Sequence, residues 1–149
     1  MSKTQDLYIH AKQRIPGGRV LFHSCGNIDA TLEDLADMGI DALTNLQVKA
    51  GMDLASAVKR IGDRVTIVGN VDATGIMCQS DQTKIDDAIR TVVETAGKDG
   101  GLIIATDHSF HEGIPQENVL YFIETAKRIG AFTAGKDKSE EPILLGGTN

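Results

Sequence analysis

The chain has 149 residues, 41% hydrophobic and 24% charged, with a formal net charge of −6, the balance of one globular domain with a sizeable core. The negative charge, with no Lys/Arg cluster interleaved with aromatics, excludes nucleic acid as a partner, and no apolar run reaches the roughly eighteen residues of a membrane span. No leader pattern is present, and Cys25 and Cys78 lie in unlike contexts that make no disulfide framework, so a reducing cytoplasm is the expected compartment.

Apolar periodicity alternates between helix-like and strand-like along the chain. A lead-in helix over about Thr4 to Arg14 carries Leu7, Tyr8 and Ala11 on one face and stops at Pro16-Gly17-Gly18. A strand, Arg19 to His23, follows. The next helix, Asp29 to Met38, turns Ile28, Leu32, Leu35 and Ala36 inward, has acids in its first turn and ends at Gly39. After a second strand, Asp41 to Asn45, Asp53 caps a helix with Leu54, Ala57, Val58 and Ile61 inward and Gly62 closing it. The third strand, Val65 to Val68, runs into Gly69-Asn70-Val71-Asp72, and a helix from about Asp81 shows Ile85, Ala88, Ile89, Val92 and Val93 as its stripe. Leu102 to Ala105 is the fourth strand. Pro115 then opens a last helix with Val119, Phe122, Ile123 and Ala126 as its buried face. Four βα units in succession imply an α/β fold of parallel strands, buried on both faces and joined by right-handed crossovers. Residues 1–134 form the domain, and residues 135–149 read as a polar, glycine-rich tail in which Ile143, Leu144 and Leu145 could dock.

His23/Cys25, Asn45/Gln47, Asn70/Asp72 and Asp107/His108 each fall at or just after the carboxyl end of a strand, the rim on which parallel α/β folds build their sites. His23 and Cys25, two apart, can face one point, and imidazole nitrogen with thiolate sulfur suits a borderline-soft cation such as zinc. Asn70 and Asp72 also suit a turn or a cap. Cys78, beside Met77, reads as packed, His10 as a surface histidine, and His111 as either a ligand or a solvent-facing loop residue.

The succession FHSCGNI, GIDAL, AGMDL, GDRVTIVGNVD, GGLIIATDH and IPQENV resembles the C-terminal half of the uroporphyrinogen decarboxylase superfamily, from about Tyr8 to Phe132. The resemblance implies half of a (β/α)8 TIM barrel. In the superfamily's cobamide-dependent methyltransferases an H-x-C pair holds zinc together with a cysteine after a later strand. His23 and Cys25 match that pair, whereas the later stretch here reads ATDHSF, so His108 would replace the cysteine. The activity implied is transfer of a methyl group from a methylated corrinoid to a thiol, with Asp107 or Asp72 orienting the imidazoles. The corrinoid would sit on a separate protein, because the spacing of DHSFHEG does not match the cobalt-ligating D-x-H-x-x-G.

The decarboxylases proper imply a second reading, porphyrinogen decarboxylation, with His108 as proton donor or hydrogen-bond partner and Asn70 and Asp72 facing the small-molecule substrate. The arginine-rich segment with which those enzymes grip carboxylates belongs to their N-terminal half and is not found here. A third reading is an inactive half barrel that needs a partner, either a second copy or a separate N-terminal half, to close its sheet.

Overall fold

The computed structural model describes residues 3–98 and 100–134, so the expected tail lies outside the described residues. Helix α1 (Lys3–Arg14) precedes β1 (Leu21–His23), and three helix-then-strand pairs follow: α2 (Leu32–Asp37) and β2 (Ala42–Thr44), α3 (Leu54–Ile61) and β3 (Thr66–Val71), α4 (Thr83–Ala96) and β4 (Leu102–Thr106). Helix α5 (Gln116–Ala134) closes the described chain. Local chemistry sets several of these boundaries. The Asp53 carboxylate accepts the Ser56 N–H at 2.6 Å and starts α3, leaving Gly62 to end it. Asp81 accepts both the amide and the hydroxyl of Thr83, at 3.1 and 2.6 Å, so Asp81 belongs to the turn and α4 begins two residues after it. The helix expected over Asp29 to Met38 is shorter, because Asp29–Thr31 forms a 3-10 turn before Leu32.

The strands are parallel and ordered β1-β2-β3-β4. Phe22, Leu43, Ile67 and Leu102 lie in register across the sheet and share the face that the helices cover. There Leu43 and Ile67 pack with Leu32, Leu35 and Ile61, while Val71 packs with Met77, Ile85, Ile89 and Phe122. The other face carries Leu21 and Ile103, which are 58% and 54% exposed. Strands buried on both faces were the sequence expectation, and the structure corrects it: among the described residues helices cover one side only. The sheet is also left with β1 and β4 as its two edges.

The buried stripe of α5 is Asn118, Phe122, Thr125 and Ile129, whereas Ile123, expected inward, is 39% exposed. Asn118 displaces the expected stripe by one position because its amide donates to the carbonyls of Met77 and Gln79, at 2.9 and 2.7 Å, and fastens the loop after β3 to the helix. No helix among the described residues is long and apolar enough to cross a membrane.

Helix α1 is held to the sheet by an edge-on contact of Tyr8 with Phe22, at 6.3 Å between ring centres, and by Asp41. The Asp41 carboxylate accepts the Val20 N–H at 2.7 Å and pairs with Lys12 at 2.9 Å and Arg19 at 3.1 Å. Chiefly through the Val20 N–H, then Lys12 and Arg19, its pKa falls from an ordinary 3.8 to about 2. The folded carboxyl therefore binds its proton more weakly than the unfolded one. Its stabilisation is complete above about pH 4 and is lost as the pH falls towards 2. Urea unfolding of Asp41→Asn should show a loss of about 1–2 kcal/mol at pH 7 that narrows below about pH 4. A gap independent of pH would mean that Asp41 acts through shape alone.

Candidate functional site

The carboxyl ends of the strands form the rim, where Asn45, Gln47, Asn70 and Asp107 each reach sideways to the end of another strand. β1 ends in His23, and two residues on Cys25 brings Sγ to 3.5 Å from His23 Nε2. Both side chains are exposed. Asn45 follows β2 with a left-handed φ of 67°, a conformation that asparagine tolerates better than most residues. Its buried amide donates to His23 Nε2 at 3.2 Å and to Cys25 Sγ at 3.6 Å, and its Oδ1 accepts the Thr44 hydroxyl at 3.2 Å.

The other rim residues serve the backbone. Gln47 Oε1 accepts the Gly26 N–H at 2.5 Å, and Asn70 donates to the Leu46 carbonyl at 3.1 Å. Asp72 takes the amides of Thr74 and Gly75 on one oxygen, at 3.0 and 2.9 Å, in a turn where a Cβ on Gly75 would overlap the carboxylate. Asp107, 3% exposed, accepts the Ala73 N–H at 2.8 Å on one oxygen and the Val48 N–H at 2.9 Å on the other. Neither Asp72 nor Asp107 hydrogen-bonds an imidazole, so the orienting role expected of them is replaced by loop building.

His108 is half-buried, and its ring makes no hydrogen bond among the described residues; only its carbonyl is engaged, by the Thr106 hydroxyl at 2.6 Å. No three His, Cys, Asp or Glu side chains among the described residues are grouped to hold one metal ion. His108 therefore does not complete the His23/Cys25 pair. β1 and β4 are opposite edges of the sheet, separated by three strand spacings of about 4.8 Å each. The pair itself fits a metal. Sulfur at about 2.3 Å and nitrogen at about 2.0–2.1 Å from a tetrahedral zinc lie about 3.6 Å apart, and the observed separation is 3.5 Å.

Sequence reasoning set Cys78 aside, yet its Sγ lies 3.9 Å from His111 Nε2 and donates to the Ala73 carbonyl at 3.4 Å. His111 Nδ1 accepts the Gly113 N–H at 3.1 Å, so one ring nitrogen is fastened within its own loop. A pairing between residues 33 apart on two loops leaves no periodic signal in a sequence. A cleft of about 610 Å³ between α3 and α4, lined by Leu54, Asn70, Asp72, Asp87 and Thr91 among others, is separate from the His23/Cys25 pair.

A family model described as uroporphyrinogen decarboxylase (URO-D) matches residues 3–129. The uroporphyrinogen decarboxylase of Pectobacterium carotovorum is 30% identical over 98 residues, and that of Psychromonas ingrahamii 32% over 98 residues; each alignment covers 66% of this chain and 26% of the relative. The chain thus spans about a quarter of the length of these relatives. Among solved structures, a methyltransferase from Methanosarcina mazei superposes with a TM-score of 0.63 at 21% identity, over 87% of this chain and 38% of that one. That likeness speaks to the fold: four parallel strands with their helices, equivalent to part of a TIM-type barrel.

The two bonds of Asp107 carry a measurable consequence. In Asp107→Asn one carboxylate oxygen becomes an NH2 facing the Val48 or the buried Ala73 N–H, which leaves that donor without its acceptor. Stability should fall by about 1–3 kcal/mol in urea unfolding. The Val48 or Ala73 amide should also exchange faster with solvent, and protection equal to wild type at both would refute the clasp.

Proposed function

We propose, for a chain that belongs to the uroporphyrinogen decarboxylase family, a zinc-assisted site of methyltransferase type in which His23 and Cys25 hold the metal and a methyl group passes from a methylated corrinoid to a thiol. The observation that carries this reading is the convergence of His23 Nε2 and Cys25 Sγ at the separation a tetrahedral zinc requires. A bound zinc supplies Lewis acidity, lowering the pKa of a thiol and holding the thiolate for attack on a methyl group. The rest is the work of the chain's own residues. Asn45 keeps both ligand atoms aimed at one point. The exposure of His23 and Cys25 suits a methyl donor carried on a separate corrinoid protein. Two free cysteines suit a reducing cytoplasm.

Decarboxylation is the second reading, favoured by one observation: the His108 ring is uncommitted on the rim and available as proton donor to a substrate. Asn70 and Asp72, the substrate contacts of that reading, are committed to the Leu46 carbonyl and to the turn at Thr74 and Gly75. Metal analysis after dialysis separates the two. Wild type should hold about one zinc per chain and Cys25→Ser should hold little, since the variant loses the thiolate, the one soft anionic ligand of the site. Equal, negligible zinc in both would return Cys25 to the role of a plain thiol and favour His108→Ala as the variant that abolishes turnover.

Among the described residues the face bearing Leu21 and Ile103 is open and the outer edges of β1 and β4 are unpaired, which supports a further part of the proposal: closure by more strands, from a second copy or a separate N-terminal half. Light scattering across a concentration range should give at least twice the chain's mass for the chain alone, or a one-to-one complex with that half. A concentration-independent monomer that binds neither would sink the assembly.

A further inference from the structure

The atoms around His23 and Cys25 form a triangle. His23 Nε2 and Cys25 Sγ are 3.5 Å apart, and the terminal amide atom of Asn45 stands 3.2 Å from the first and 3.6 Å from the second. A tetrahedral zinc with nitrogen, sulfur and oxygen ligands at about 2.0–2.1, 2.3 and 2.0–2.2 Å has ligand-to-ligand edges of about 3.6 Å (N to S), 3.3–3.5 Å (N to O) and 3.5–3.7 Å (S to O). The observed edges of 3.5, 3.2 and 3.6 Å each lie within about 0.1 Å of these values. As drawn, the corner at Asn45 is the NH2. A half-turn of the amide exchanges it for the carbonyl oxygen at the same point, and the Thr44 hydroxyl, donor and acceptor both, can bond either end.

Resting on the zinc reading above, we infer that Asn45 Oδ1 is the third protein ligand, giving a His23, Cys25, Asn45 set with the fourth position open to a thiol substrate. Three further features bear on it. Asn45 is 5% exposed, a buried carboxamide turned toward two exposed ligand atoms. Its φ of 67° is a conformation that most side-chain-bearing residues avoid, held at the rim beside the pair. No third His, Cys, Asp or Glu among the described residues joins the pair. Without metal, the amide's N–H groups occupy the lone pairs of both ligand atoms and keep them aimed at one point.

Zinc competition against a chelator, on the full chain, tests the assignment without any turnover. Asn45→Gly removes the side chain and is at ease at a positive φ; zinc should bind about 100-fold or more weakly, beyond what loss of an outer contact usually costs. Asn45→Asp keeps an oxygen at the corner and tolerates the same backbone, but its carboxylate cannot donate. It should bind zinc as tightly as wild type or more so, and with cobalt(II) as probe it should keep the sulfur-to-metal charge-transfer band. If Asn45→Asp is as weak as Asn45→Gly, Asn45 acts only by donating hydrogen bonds and is not a ligand. If Asn45→Gly binds as wild type does while Cys25→Ser does not, the metal reading survives and the Asn45 ligand falls. Zinc absent from wild type as well would overturn both.

Discussion

The backbone N–H groups of Val48 and Ala73 stand beyond the ends of two different strands, and the two oxygens of one buried carboxylate satisfy both. Because Asp107 itself follows β4, it draws the loops after β2, β3 and β4 to a single point. Without it, the buried Ala73 N–H and the part-buried Val48 N–H would lose their acceptor, and the loops would lose their common reference. Asn70 adds a bond from β3 to the Leu46 carbonyl, and Gln47 one from the loop after β2 to the Gly26 amide. The rim is thus laced sideways by side chains where the parallel ladder runs out.

Preorganisation of the His23/Cys25 pair follows from that lacing. Asn45, Leu46, Gln47 and Val48 are consecutive; Asn45 and Gln47 bond to the end of β1, Leu46 to Asn70 at the end of β3, and Val48 to Asp107 after β4. A shift of this segment would displace the Asn45 amide and the Gln47 contact together. Short side chains on a short strand end are held by backbone geometry more than by packing, which is why an exposed pair can keep a separation of 3.5 Å.

Much of the fold was legible because it rests on periodicity. The Asp53 cap, the stripe of α4 and the parallel order of four strands follow from apolar spacing and helix-end chemistry, which are local. The one-sided cover of the sheet was not legible, since a strand such as LFH or LIIAT reads as buried whether or not a second layer faces it. At the rim the positions were legible and the roles were not. Asp107 and Asn70 have the residue types of catalysts, yet their bonds go to backbone groups tens of residues away, which no spacing rule encodes. Asn118 was hidden for a further reason: an asparagine on an apolar helix face is an exception to the pattern that located the face.

Asn118 also places an order on synthesis. Its amide holds the carbonyls of Met77 and Gln79, the first of them 41 residues earlier in the chain. A ribosome adding about 5–20 residues per second takes roughly 2–8 s to cover that interval. For those seconds the loop after β3 exists with its carbonyls facing water, and β4 and the start of α5 must emerge before the loop takes its final shape. The Val48 and Ala73 amides wait in the same way for Asp107, so both loops take their final shape only after β4 has emerged.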